Sequence, residues 1–331
     1  MKAIVCDQFA PVESLQYRDV EEPEPRSGEV RITIEAIGVN FPDGLLVEGS
    51  YQAKPELPFT PGVEFAGIVD AVAEGVTDYA IGDRVIGVSD HYSAYAEKVC
   101  CAVERLMAMP KTMPFSDAAS LVLAHGTAHH ALKQRGQLQP GETLLVLGAA
   151  GGTGLAAVQI GKAMGARVIA ACSTDAKLAL AKANGADELI NYQTQELRGE
   201  LKRLTDGKGV DVVYDPVGGA QFDTCARSMA PYGRLLVIGF ASGEIPKLPV
   251  NLALVKEFAA VGVFWGAFVR RDPATFATNM QELFGWYEQD QVRLHIDQSL
   301  PLSRAAEALR RVLDRQVNGK LVLVPDAVAQ R

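Results

Sequence analysis

The chain has 331 residues, 48% of them hydrophobic and 22% charged. That composition excludes a disordered or collagen-like protein and suits about two domains, each with its own core. The 32 basic and 40 acidic residues leave a net charge of −8, so nothing draws the chain generally to nucleic acid or anionic membrane, and neither is expected as a partner. Five cysteines (Cys6, Cys100, Cys101, Cys172, Cys225) are an odd and sparse set; this fits a reducing cytosol, hence a cytoplasmic location, and no disulfide framework.

The N-terminus, MKAIVCDQF, carries a four-residue apolar run from Ala3 to Cys6, shorter than a signal peptide requires. Up to about residue 105 the pattern is β-rich. Positions 30–34 alternate with period two, and turn residues punctuate the runs at Ser27-Gly28, Pro61-Gly62, Glu74-Gly75 and Gly82-Asp83. From about 115 the pattern changes. Helices are predicted at 116–132, 155–164 and 176–183. Strands are predicted at 143–147, 167–171, 188–192, 210–214, 234–238 and 259–264. Strands alternating with helices make βαβ units, and six of them make a doubly wound parallel sheet of Rossmann size. After 265 come two helices, 273–287 and 303–313, and a last strand, 320–324.

Residues 143–161 lack any charge for 19 positions, but five glycines lie among them. Strand, glycine turn and helix explain this stretch better than a membrane span. The turn is GAAGGTG, 148–154, directly after the strand and opening a helix at Leu155. This is the context a dinucleotide turn requires. Gly148 permits the sharp turn, Gly151 and Gly152 let backbone N–H groups approach a pyrophosphate, and Gly154 allows close packing of helix on strand. These four glycines and Thr153 are the expected cofactor residues of the turn.

An NAD-selecting carboxylate is missing at the end of the second strand, where Cys172, Ser173 and Thr174 follow Ala171. Asp175 comes one or two residues late and reads as an N-cap, a role Thr174 could also fill. Lys177 opposes the helix dipole in the next first turn. A neutral strand end beside a lysine favours a 2′-phosphate, hence NADP.

GVNFPDGLL (38–46), PFTPGVEFAG (58–67), GDRVIG (82–87), LGAAGGTG and YDPVGG (214–219) occur in this order along the chain. Together they resemble the medium-chain dehydrogenase/reductase superfamily, in its zinc-free, zeta-crystallin-like NADPH:quinone oxidoreductase branch. The resemblance implies an α/β protein with a GroES-like β-rich catalytic domain, 1–122 and 266–331, and a Rossmann NADP-binding domain, 123–265, inserted in it. Where the superfamily's zinc enzymes have ligands, this chain has Asn40, Val63 and Leu123, with only Glu64 remaining. One carboxylate makes no zinc site, so no metal is expected. His125 and His129, four apart on a helix, read as packing.

The resemblance implies catalytic positions at Asn40, Tyr51 and Thr127. A second pocket tyrosine of the family falls on Leu45, which implies a more apolar acceptor site. Ser173, Lys177 and Tyr192 match positions around the adenosine 2′-phosphate. Phe240, Ser242, Phe264 and Trp265 match the nicotinamide side, and Asn318 a late cofactor contact. The implied activity is hydride transfer from NADPH to a quinone or related conjugated carbonyl, in a homodimer joined through strand 259–264. Two other readings are an enoyl-thioester or enone reductase, and an NADPH-binding structural protein with little turnover.

Overall fold

The structure, a computed structural model, describes residues 1–89 and 91–329. Gln330 and Arg331, which end the expected catalytic domain, lie outside the described residues.

The chain opens with an antiparallel pair, β1 (Lys2–Val5) and β2 (Gln16–Asp19). Then come β3 (Glu29–Val39), α1 (Phe41–Val47), β4 (Glu64–Val72), β5 (Arg84–Val88), β6 (Lys98–Ala102), β7 (Leu106–Ala108) and α2 (Phe115–His130). In β3 the period-two pattern buries Val30, Ile32 and Ile34 on one face, and beyond Ala36 every residue is buried.

The second stretch holds six parallel strands: β8 (Thr143–Leu147), β9 (Arg167–Cys172), β10 (Glu188–Asn191), β11 (Val210–Asp215), β12 (Met229–Val237) and β13 (Ala259–Gly262). Between and after them lie α3 (Gly152–Ala163), α4 (Asp175–Ala183), α5 (Leu197–Leu204), α6 (Ala220–Arg227), α7 (Val250–Lys256), α8 (Trp265–Arg271) and α9 (Pro273–Glu288). The chain closes with β14 (Ile296–Pro301), α10 (Ala305–Leu313), β15 (Lys320–Val324) and α11 (Asp326–Ala329).

Two compact units result: Met1–Leu123 with Leu294–Arg331, and Ala124–Arg293. The first unit contains a sheet ordered β14-β15-β3-β4-β5-β7, with β6 also on β3. Its core gathers Ile32, Ile34, Ile37, Phe65, Val85, Tyr95, Leu321 and Leu323. Fully burying an aliphatic or aromatic side chain of this size stabilises by about 1.5–3 kcal/mol.

The second unit is the doubly wound one, ordered β10-β9-β8-β11-β12-β13. The chain starts at β8, winds out to β10, and returns to β11 on the other side of β8. In open sheets of this kind ligands bind at the carboxyl ends of the strands where the order reverses, here between β8 and β11. Its core includes Leu145, Ile169, Ile190, Val213 and Leu235.

The second unit extends to 293, so the expected return to the β-rich domain at 266 falls at 294 instead. Side chains of α9 explain this. Glu282 pairs with His129 at 2.7 Å and also with Lys133, Gln134 donates to Asn279 at 2.9 Å, and the Trp286 ring lies 5.4 Å from His129. These bonds tie α9 to residues 129–134 of the second unit.

The last strand of that sheet, β13, is exposed at Ala259, Ala260 and Gly262. No helix among the described residues is long and apolar enough to cross a membrane.

Candidate active site

The glycine turn lies at the switch point of the second unit. It leaves β8 and enters α3, whose N-cap is Gly151 in an extended conformation (φ −78°, ψ 166°). A methyl on Gly154 would sit 2.2 Å from the Gly148 carbonyl oxygen, so only glycine allows this approach of helix to strand. The first turn of α3 carries no acidic residue, and the first-turn amides of any helix lack intrahelical acceptors. The turn therefore fits a pyrophosphate. Thr153 is held inward: its hydroxyl meets the Tyr214 hydroxyl and lies 3.4 Å from the Ala124 carbonyl.

The neighbouring strand ends join it. After β11, Asp215 Oδ1 accepts from the amides of Val217 and Gly218, both at 2.8 Å, and burial raises this carboxyl's pKa. A methyl on Gly148 would lie 3.1 Å from Val217. One on Gly218 would lie 3.0 Å from the Phe240 ring, and one on Gly219 2.9 Å from Ser242 Oγ. Phe240 and Ser242, both in the segment 239–243, thus meet the turn that follows β11.

At the far end of the unit, β9 and β10 run parallel with Asn191 beside Cys172. The Tyr192 amide donates to the Cys172 carbonyl at 3.1 Å, so Ser173 and Tyr192 leave adjacent strand ends. Thr174 is the N-cap of α4, its hydroxyl accepting from the Lys177 amide at 3.3 Å. Asp175 is not the cap the sequence suggested. It is the first helical residue, and its Oδ1 accepts from Asn191 Nδ2 at 2.6 Å. Lys177 is half-buried in the first turn.

The first unit holds a cluster that sequence reasoning missed. Lys320 opens β15 and is buried, its side chain 5% exposed. Its Nζ donates to Glu64 Oε1 at 2.7 Å, Asn40 Oδ1 at 2.6 Å and the Val39 carbonyl at 3.1 Å. Asn40 Nδ2 in turn donates to Glu64 Oε1 at 2.9 Å and the Gly38 carbonyl at 3.3 Å. Glu64 Oε2 accepts from the Leu123 amide at 2.8 Å. Asn40, placed near the substrate by resemblance, thus has both ends of its amide engaged within the unit.

A methyl on Gly38 would lie 2.2 Å from the Ala119 carbonyl and 2.3 Å from Glu64 Oε1, so this approach also requires glycine. Asp43 Oδ2 accepts from the Asn40 amide at 2.9 Å and the Tyr95 hydroxyl at 3.0 Å. Burial pushes the Asp43 carboxyl up to about 7 and the Tyr95 hydroxyl well above its usual value. Asn318, two residues before Lys320, has its Oδ1 buried with no hydrogen-bond partner.

The remaining expected residues divide between the units. Tyr51 packs against the first unit's core after α1, where Leu45 is half-buried. Thr127 is half-buried on α2 among buried neighbours. Phe264 is 56% exposed, whereas Trp265 is buried, in edge contact with Phe276 and with Nε1 left without a partner. Among the described residues no group of three or more His, Cys, Asp or Glu could hold a metal ion.

Residues 26–133 match the alcohol dehydrogenase GroES-like domain family, and residues 152–284 the zinc-binding dehydrogenase family. Quinone oxidoreductase-like protein 2 of Rattus norvegicus is 38% identical over 97% of this chain and 91% of its own length. The chain belongs to the medium-chain dehydrogenase/reductase superfamily, beside its quinone oxidoreductase-like members. A quinone oxidoreductase of Pseudomonas aeruginosa is 38% identical, covering 98% of this chain and 99% of its own. The solved Escherichia coli quinone oxidoreductase, complexed with NADPH, superposes with a TM-score of 0.91 at 28% identity, over 98% of this chain and 100% of that one. These relatives support an oxidoreductase of that superfamily.

Proposed function

We propose that the protein is a zinc-independent, NADPH-dependent reductase of quinones or related conjugated carbonyls, cytoplasmic and homodimeric. The observation that carries zinc independence is the Lys320 ammonium bonded to Asn40 and Glu64. At the superfamily's metal-ligand positions this chain offers an amide, the aliphatic Val63 and Leu123, and a carboxylate already paired with a cation. That donor set does not fit zinc. With no Lewis acid to polarise a simple ketone, an acceptor already activated by conjugation suits the site.

NADPH, when bound, supplies the hydride. The Gly148–Gly154 turn and the N-terminus of α3 would hold its pyrophosphate, and Ser173, Lys177 and Tyr192 its 2′-phosphate. Thr127, Phe240, Ser242, Phe264, Trp265 and Asn318 are proposed for the nicotinamide side and late cofactor contacts. Asn40 and Tyr51 are proposed at the acceptor. The residues act by binding and orienting, and no side-chain nucleophile is required. The NADPH complex of the Escherichia coli relative supports the cofactor assignment. The exposed apolar edge at β13 supports the dimer.

The test follows cofactor oxidation by chelator-dialysed protein, with NADPH and NADH, against quinones, enones and enoyl-CoA esters. Quinone-dependent oxidation of NADPH, undiminished by metal removal, is the expected result. Turnover confined to enoyl-CoA esters would make it an enoyl-thioester reductase. Cofactor binding with no turnover of any acceptor would make it a structural NADPH-binding protein. A stoichiometric zinc whose loss abolishes activity would overturn the metal assignment.

A further inference from the structure

The end of β9 carries two charges of opposite consequence for the cofactor. Lys177 favours a 2′-phosphate. Asp175, three residues past Cys172, is the kind of group that in NAD-binding units accepts from the ribose hydroxyls and repels a phosphate. Both lie in the first turn of α4, two residues apart, and side chains at that spacing on a helix do not face each other. Their spacing does not pair them, and the carboxylate's hydrogen-bond partner lies on another strand.

That partner is Asn191. It is buried at the end of β10, in register with Cys172. Its Oδ1 accepts from the Gln193 amide at 3.1 Å, and its backbone N–H donates to Gln195 Oε1 at 2.8 Å. The Gln193 bond orients the side-chain amide, because a flip would turn the oxygen toward a carboxylate and leave the Gln193 amide facing an NH2. Nδ2 is left pointing at Asp175 Oδ1, 2.6 Å away. An oriented, buried donor thus engages an exposed carboxylate.

We propose that Asn191 is a positioning residue that sets the choice of NADPH over NADH by holding the Asp175 carboxylate, a role that rests on the NADPH reading above. The bond draws Asp175 toward β10 and leaves the phosphate position to Ser173, Lys177 and Tyr192. Without it, Asp175 turns freely, accepts from an unphosphorylated ribose and opposes a phosphate.

Dissociation constants of NADPH and NADH, measured by fluorescence titration of the full-length protein, test this without requiring turnover. Wild type, Asn191→Leu, Asp175→Asn and the double variant are compared. Asn191→Leu should lower the preference for NADPH by about tenfold, the scale of one hydrogen bond to a charged group. Adding Asp175→Asn should restore it, since the carboxylate is then gone, and Asp175→Asn alone should retain it. Asn191→Ser is the milder change if leucine does not fold. An unchanged preference in both Asn191 variants would overturn the proposal. So would a loss shared equally by both cofactors and not rescued by Asp175→Asn. A wild type with no preference for NADPH would instead remove the cofactor reading beneath it.

Discussion

Lys320 is where a single side chain matters most. Lys and Glu are almost never fully buried unless paired, and Glu64 is 0% exposed. Removing the ammonium leaves that carboxylate charged in the interior, which costs about 3–5 kcal/mol. Lys320→Met should lower the melting temperature accordingly, and adding Glu64→Gln should recover most of the loss. A single variant as stable as wild type would show that Glu64 needs no countercharge. Asp43 predicts a pH dependence. Burial raises its carboxyl from 3.8 to about 7 in the folded protein. A folded value above the unfolded one contributes stability that is full below the unfolded pKa and is lost as pH rises to the folded one. Asp43→Asn should therefore flatten the part of the stability decline between about pH 4 and 7, as followed by thermal denaturation. Curves for variant and wild type that stay parallel across that window would refute it. None of this cluster was legible beforehand beyond Asn40 and Glu64. Lys320 lies 256 residues from Glu64 and 280 from Asn40, and no local pattern couples such positions. The one signal is a lysine opening the otherwise apolar strand KLVLV.

The glycine turn makes the clearest claim about an element. Gly154→Ala would drive a methyl to 2.2 Å from the Gly148 carbonyl, so helix and turn must separate. NADPH affinity should fall by about tenfold or more, the scale of one lost charge-assisted hydrogen bond. Titration giving a wild-type dissociation constant would show that this turn does not hold the pyrophosphate. The turn and its flanking strand were legible because both are local: an apolar run of strand length, then small residues at fixed spacing. β8 and β15 were read with their observed ends, 143–147 and 320–324. α5 to α8 escaped, being seven or eight residues each. α9 was found but assigned to the β-rich domain, because its place rests on His129, Lys133 and Gln134, nearly 150 residues earlier. Of the two cap candidates the sequence offers, Thr174 is the cap, and Asp175 instead meets Asn191 on another strand, a partner no local pattern reveals.

For the whole molecule, the open edge predicts association. Ala259 and Ala260 of β13 are exposed, and Val250, Leu254 and Val255 of α7 are each more than two-thirds exposed. An apolar edge of this kind invites strand pairing. Sedimentation should give twice the 35.5 kDa chain mass at micromolar concentration. Val261→Lys, a charge on the edge strand, should shift it toward the monomer. A wild type that sediments as a single chain would rule out the dimer.

The first unit is made of two stretches with the whole second unit between them, and on the ribosome that becomes a schedule. β3 is translated early, but β15, which pairs with it, comes last. At roughly 5–20 residues per second, the 256 positions from Glu64 to Lys320 take on the order of ten to fifty seconds. Through that interval the carboxylate has no ammonium and β3 lacks its partner along Ile37–Val39, while the strands of the parallel sheet are made in full before β15 appears. The expected order of maturation is therefore inside-out along the chain. A brief protease pulse on ribosome-bound chains halted once residue 293 has emerged, with β15 still inside the ribosome, should cut within 1–123 and spare 124–293. Equal resistance of both stretches at that stage would show that the early strands close without their last partner.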